Sequence, residues 1–262
     1  MKLKRIGFYV TLRCNLRCKY CASYVSYYSN PWHPEINDLY RQIDRLFELI
    51  SYVGTILITG GEPFLRDDID LLFQYFEKYS DKIGLVEVVT NGTIFPNDKF
   101  FDALRNKHIN IKITINNYED ISCYTKLILN ELNTRCSNVK IKLRDAANIS
   151  YSWVNYNLKD KRRATEEVQN IYNKCHLPNQ MGWDFYMYNG ILYRCPQIKR
   201  AIEIGLVMPS NAEIIDIFDN SCSNNELKVR MIHSLTLPYF TACNFCDGQS
   251  DDSMWHKPAE QL

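Results

Sequence analysis

Ile6-Gly-Phe-Tyr-Val-Thr11 is followed after two residues by Cys14-Asn15-Leu16-Arg17-Cys18-Lys19-Tyr20-Cys21. The first run is short and rich in β-branched and aromatic residues, as a buried strand is. The cysteines then fall with three residues in the first gap and two in the second. A cysteine-dense loop at the carboxyl end of a strand is where α/β proteins build their sites. The same strand-then-loop unit recurs. Strands are expected at Ile6–Thr11, Thr55–Thr59, Leu85–Thr90, Ile109–Ile115 and Val139–Leu143. Helical patterns lie between them at Asp38–Tyr52, Ile69–Ser80, Asp98–Asn106 and Ser122–Thr134. In the first helix Leu39, Ile43, Leu46, Phe47 and Ile50 recur at three- and four-residue spacing. Alternating β and α units predict right-handed crossovers and a parallel sheet.

After about residue 148 the alternation fades. Asn148–Lys159 reads as a polar, aromatic loop and Lys161–Lys174 as one more helix. Phe185–Arg194 reads as a hairpin turning at Asn189-Gly190. The last fifty residues read as irregular. The division expected from this change is 1–160 and 161–262.

The chain has 262 residues, 46% of them hydrophobic and 23% charged, with a net charge of +1. That excludes a mostly disordered chain and a global basic field for nucleic acid. No apolar run is long enough to span a bilayer. The start, MKLKRIGFYV, has no signal-peptide pattern, so the expected location is the cytoplasm. Ten cysteines in a reducing compartment point to metal or redox chemistry rather than disulfides. Three thiolates from one short loop can hold three irons of a [4Fe–4S] cluster and leave the fourth iron open. The competing reading is a zinc loop with His33 as the fourth ligand.

Thr59-Gly60-Gly61-Glu62-Pro63 follows the second strand. With the CxxxCxxC loop one β-α unit earlier, the chain resembles the radical SAM enzymes over about residues 5–148. The resemblance implies a partial (β/α) barrel of five to six parallel strands. It also implies S-adenosylmethionine on the open iron, with the GGEP turn accepting hydrogen bonds from its amino group. Other family positions are Tyr20, against adenine, and Thr90, Asn91, Gly92, Asn116 and Asn117 at strand ends facing ribose and methionine. Arg144 ends the fifth strand, where it can pair with the methionine carboxylate or with substrate.

Cys175, Cys195, Cys243 and Cys246 form a second set, with Gly190-Ile-Leu-Tyr-Arg-Cys195 closing the hairpin and Cys243-Asn-Phe-Cys246 near the end. This layout resembles the twitch domain, a shortened SPASM domain holding one auxiliary [4Fe–4S] cluster. A four-cysteine zinc site has the same ligands. In layout the chain is similar to the radical SAM 2-deoxy-scyllo-inosamine dehydrogenases. The reaction implied uses a 5′-deoxyadenosyl radical to take hydrogen from a small carbohydrate-like or cyclitol substrate, with the auxiliary cluster accepting an electron. Flavodoxin or ferredoxin is the implied reductant. Two alternatives are a maturase of ribosomal peptides and an epimerase. The expected absence of a leader-binding domain before the first strand weighs against the maturase. The epimerase needs a cysteine hydrogen donor such as Cys222 or Cys123. Cys123 and Cys136 read as buried thiols. Trp32 and His33, after the first loop, are candidates for substrate contact. His108, His176, His233 and His256 show no metal spacing. The catalytic proton acceptor is not assigned.

Overall fold

The computed structural model describes residues 1–262 except 106, 147–152, 161–162 and 209. Asn106 at the end of one expected helix, positions 148–152 of the expected loop and Lys161 at the start of another helix lie outside the described residues. The elements in order are β1 (Lys2–Thr11), α1 (Ile36–Leu49), β2 (Tyr52–Gly60), α2 (Ile69–Phe76), β3 (Val86–Thr90), α3 (Asp98–Ala103), β4 (Ile111–Asn117), α4 (Thr125–Arg135) and β5 (Lys140–Asp145). Then come β6 (Trp153–Val154), α5 (Thr165–Lys174), α6 (His176–Asn179), β7 (Phe185–Tyr188), β8 (Ile191–Tyr193), α7 (Pro196–Glu203), β9 (Ile214–Asp216), α8 (Asn224–Leu235) and β10 (Trp255–His256).

Eight strands form one sheet in the order β5-β4-β3-β2-β1-β7-β8-β9. The first six run parallel; β8 and β9 are antiparallel additions. This is an open, partial barrel of six parallel strands. β7 pairs with β1 at Ile6↔Phe185 and Phe8↔Met187. The sheet therefore passes from the first segment into the second without a break. The shared core does the same, joining Ile6, Phe8, Ile56 and Val86 to Phe185, Leu192, Ile215 and Met231. Two smaller buried clusters surround the cysteines of the second set.

Several boundaries differ from the sequence expectation, each for a local reason. The helix expected to reach Tyr52 ends at Leu49, because Ile50 is extended and β2 begins two residues later. Its apolar spacing continues only because Val53 faces the same core. The helix expected to reach Ser80 becomes a 3₁₀ segment from Glu77, kinked at Tyr79. The hairpin turns at Asn189 (φ 48°) and Gly190 (φ 74°), as its Asn-Gly pair requires. The last fifty residues are not irregular. Ser223 and Glu226 close a reciprocal capping box on α8. Pro196 opens α7 directly after Cys195.

The decisive packing lies at the carboxyl ends of β1 and β2. Gly61 N–H donates to the Thr11 carbonyl at 2.7 Å, and Glu62 N–H to the Arg13 carbonyl at 2.9 Å. Gly60 has φ 122°, a region closed to side chains. A Cβ on Gly61 would lie 2.0 Å from the Arg13 carbonyl oxygen. The two glycines let the cysteine loop dock backbone-to-backbone on the next turn. Gly61→Ala is expected to cost about 3 kcal/mol or more, since the obstacle is main chain and cannot rotate away. A thermal unfolding curve of the variant reads this. An unchanged midpoint would show that the two turns are not locked together.

Candidate functional site

The carboxyl ends of β1 to β4 and the β6 segment enclose a cavity of about 270 Å³. Cys14, Cys18 and Cys21 line one side, and Thr59, Gly60, Gly61, Glu62, Thr90, Asn91 and Asn116 line the strand ends. Tyr20 also faces it, with one face of its ring stacked on His256 at 4.0 Å between centroids. The sequence therefore brings its first cysteine set, its GGEP turn and its strand-end polar residues to one place. Pro63 is not a wall residue. It opens a short 3₁₀ turn and is buried behind the site. Arg144 opens on an adjoining, smaller cavity with Tyr118, Trp153 and Pro258, and shares Asn116 with the main one. Trp32 packs on Tyr188, and His33 Nδ1 meets Thr11 Oγ1 at 2.9 Å. Neither lines the cavity, nor do Cys222 and Cys123. The cysteine-donor chemistry considered for epimerisation thus has no thiol from those two positions in the cavity wall. Cys136 is buried as expected, but Cys123 is exposed, because it lies in the turn before α4 rather than inside a helix.

Burial pushes the Cys14 thiol up to about 12, Glu62 and the two other thiols adding to the rise. Cys18 rises to about 11 and Cys21 also rises, in each case because burial disfavours the thiolate. Three such thiols become thiolates together when a cationic group neutralises them, and binding then releases their protons. Glu62 is buried, with Oε1 accepting from Phe64 N–H (3.0 Å) and Thr90 Oγ1 (2.8 Å) and Oε2 from Asn91 N–H (2.8 Å). Its carboxylate braces the ends of β2 and β3. That leaves backbone carbonyls as the better acceptors for an ammonium group.

The second cysteine set gathers at another small cavity. Cys175 joins α5 to α6, Cys195 caps α7, and Cys243 and Cys246 lie on a tight turn. All four line this cavity with Tyr156, Tyr172 and Gln197. Burial pushes Cys243 up to about 12 and Cys195 well up, the other three thiols adding to Cys195. Gln197 is buried, and neither atom of its amide has a hydrogen-bond partner among the described residues. Gly248 N–H donates to Cys246 Sγ at 3.2 Å. Four thiols at one cavity, where burial disfavours a lone thiolate, fit a thiolate-ligated cationic group. Among the described residues no three His, Cys, Asp or Glu side chains converge on a single ion position.

Four groups of residues around the two sites escape the sequence reading. Tyr118, Trp153, Tyr156 and Gln249 close the main cavity opposite the thiols. The aromatic density of Trp153-Val-Asn-Tyr156 was the available signal. Arg163 is largely buried and donates to the Cys243 and Cys246 carbonyls at 3.2 and 2.5 Å, holding the turn from behind. Arg66 is buried and donates to the Val10 and Pro34 carbonyls while pairing with Asp68. His256 was read only as lacking metal spacing, not as a partner of Tyr20.

Residues 8–142 match the family model of the Radical SAM superfamily. The chain is 33% identical over 96 residues to the GTP 3′,8-cyclase of Nautilia profundicola, and 32% identical over 132 residues to that of Campylobacter curvus. Those stretches cover 35% and 48% of this chain but only 28% and 39% of the relatives' own lengths. The fold is similar to that of BtrN, crystallised with AdoMet and 2-DOIA, at TM-score 0.57 and 16% identity, covering 99% of this chain and 97% of that one. It is also similar to anSMEcpe with bound AdoMet and a Kp18Cys peptide, at TM-score 0.52 and 12% identity, covering 99% and 94%.

Burial raises the Glu62 carboxyl to about 7 against three opposing hydrogen bonds. Its folded-state value is thus above its unfolded one. The native state holds the extra proton between about pH 4.5 and 7. Stability from this group is complete below that window and is lost as pH rises through it, on the order of 3 kcal/mol in all. Glu62→Gln is expected to flatten the slope in the cluster-free protein. Denaturant melts across the window measure it, and an unchanged slope would place the titration elsewhere.

Proposed function

The chain belongs to the radical SAM superfamily and is an enzyme of that kind, and from this premise we propose that it is a two-cluster oxidoreductase. Cys14, Cys18 and Cys21 would hold the family's [4Fe–4S] cluster, and the strand ends beside them would hold S-adenosylmethionine. Cys175, Cys195, Cys243 and Cys246, in an auxiliary unit spanning 161–262, hold a second [4Fe–4S] cluster. The observation that carries the proposal is Tyr156. It lines both the main cavity and the four-thiol cavity, so one buried side chain is the wall between them.

When bound, the first cluster and S-adenosylmethionine supply a 5′-deoxyadenosyl radical, which takes a hydrogen atom from carbon. This chain's residues supply position and exclusion. Tyr20 offers a ring edge for adenine. Thr90, Asn91 and Asn116 offer hydrogen-bonding groups to ribose and methionine, and the carbonyls of Gly60 and Gly61 accept from the ammonium. Arg144, beside Asn116, suits the methionine carboxylate or a substrate anion. Trp153, Tyr156 and Tyr118 shield the cavity from water. Tyr156 Oη donates to Gln249 Oε1 at 3.1 Å, which fixes its ring across the passage between the two sites.

A four-cysteine cluster has no open iron, so its use is to accept or give an electron. A substrate carbon bearing a hydroxyl, once stripped of hydrogen, reaches a carbonyl by losing one proton and one electron. An auxiliary cluster held by Cys175, Cys195, Cys243 and Cys246 would supply the acceptor for that electron. The small cavity and polar strand ends support a small carbohydrate-like or cyclitol substrate, and the end-to-end likeness to BtrN agrees with that class. The reductant of the first cluster would be a flavodoxin or ferredoxin.

Anaerobic reconstitution is expected to give about eight irons, and Ala at Cys14, Cys18 and Cys21 about half of that. A Cys243→Ala variant should still form 5′-deoxyadenosine with a panel of polyols and aminocyclitols, yet make little ketone. Zinc in place of iron at the second site would defeat the proposal. So would normal ketone formation by a variant shown to lack the second cluster. Turnover of peptides alone would transfer the reading to a maturase.

A further inference from the structure

The last residues of the chain return to the first cysteine loop. β10 pairs antiparallel with β6, whose Trp153 and Val154 wall the main cavity. His256 stacks on Tyr20. Beyond it, Lys19 N–H donates to the Glu260 carbonyl at 2.7 Å, Leu262 N–H donates to the Arg17 carbonyl at 2.8 Å, and Lys19 Nζ meets Glu260 Oε1 at 2.6 Å. Cys18 and Gln261 form an antiparallel bridge. Gln261 uses both ends of its amide on the loop. Its Oε1 accepts from Arg17 N–H at 2.7 Å, and its Nε2 donates to Cys18 Sγ at 3.5 Å and to the Ala259 carbonyl at 2.6 Å.

We propose that Gln261 is a positioning residue for the first cluster: it clips the Arg17–Tyr20 segment in place and tunes the cluster's reduction potential through an N–H···S bond to Cys18. The proposal rests on the reading of Cys18 as a cluster ligand. The physical argument is charge. Reduction adds an electron to a cluster already bearing thiolate charge, and a donor aimed at a ligand sulfur stabilises the more negative state. The bond is also shielded, since Cys18 is 5% exposed and water has little access to its sulfur. By comparison, Asn91 Nδ2 is 3.9 Å from Cys14 Sγ, so Gln261 is the closer amide donor to the cysteine loop. The same tail leaves the four-thiol site at Cys246 and Asp247, where Arg163 anchors it. It is therefore fastened at the second cysteine set and again at the first, running along the cavity wall between them.

The test uses the full chain, reconstituted anaerobically, with Gln261→Met and Gln261→Leu. Gln261 is exposed at the surface, so neither change opens a core cavity. Iron and sulfide are measured first. The first cluster is then followed in a potentiometric electron-paramagnetic titration, identified as the signal that shifts on adding S-adenosylmethionine. The expected result is a full iron complement with the midpoint moved to more negative potential in both variants. A midpoint equal to that of the unaltered chain in both variants, with iron complete, would overturn the inference while leaving the cluster assignment standing. If the unaltered chain showed no signal responsive to S-adenosylmethionine, the cluster assignment and the inference would fall together.

Discussion

Two backbone hydrogen bonds, from Gly61 to Thr11 and from Glu62 to Arg13, set the geometry on which the rest of the site depends. They bring the end of one parallel strand against the end of the next at main-chain contact distance. Only a residue without Cβ can occupy Gly61, because the Arg13 carbonyl fills that space. The cysteine loop begins at the next residue, so its position is inherited from this contact. Arg66 reinforces it from behind by donating to the Val10 and Pro34 carbonyls. A buried guanidinium is costly to leave unpaired, and here Asp68 and two carbonyls take its donors. Glu62 extends the same brace to the third strand through Thr90 and Asn91. A three-strand platform is thereby fixed before any ligand is bound, which is the preorganisation such a site requires.

The second cysteine set is coupled to this platform by packing on several sides. β7 adds to β1 in parallel, so the hairpin that leads to Cys195 grows from the strand that leads to Cys14. One turn after Cys195, Lys199 lies over the rings of Tyr28 and Tyr188 at 4.8 and 4.2 Å, and Arg200 lies 5.6 Å over Tyr24. The tyrosines at 24 and 28 directly follow the first cysteine loop. Cation–π contacts in this half-desolvated setting contribute about 1 to 2 kcal/mol each. The cation helix and the tyrosine run thus keep the two thiol sets in a fixed relation. Tyr24 is held in a left-handed backbone, φ 56°, to make that run turn back on the helix.

Much of this was legible in the residues and some was not, for physical reasons. The central strands could be read because burial on both faces leaves continuous apolar runs such as Ile56-Leu57-Ile58. The first cysteines and the GGEP turn were legible because their chemistry is local, complete within a few residues of one loop. Asn189-Gly190 announced its turn through the left-handed conformations that such residues accept most readily. α8 was missed although Ser223 and Glu226 signal its start. It buries only Leu227, Met231 and Ser234, and so lacks a broad apolar stripe. Arg163 and Gln261 could not be found by any local pattern, and the aromatic density around Tyr156 did not say what that ring stands between. Each acts on residues dozens to hundreds of positions away, and a single arginine or glutamine in sequence has no period or spacing to betray it. Arg144 shows the opposite limit. Its strand-end position was legible, but which of two adjoining cavities it opens on depends on Tyr118 and Trp153, which stand between.

The placement of Tyr156 bears on why a redox reading suits this architecture better than a redox-neutral one. Epimerisation needs a group that returns hydrogen to the substrate carbon. The side chains opposite the first thiols are Tyr118, Trp153, Tyr156 and Gln249. Cys123 and Cys222, the thiols available for such a return, are elsewhere. Cys222 is tied to Asp219 and Arg230 at the start of α8 instead. Burial and three of the second-set thiols hold the Tyr156 phenol far above its ordinary range, so it stays neutral beside them. A neutral, hydrogen-bonded aromatic ring between two thiol-lined cavities is a poor acid or base and a good partition. Tyr156 lines the main cavity on one side and the cavity of the second thiol set on the other. Cys175, Cys195, Cys243 and Cys246 line that second cavity, the arrangement that the proposed transfer of an electron away from substrate would use.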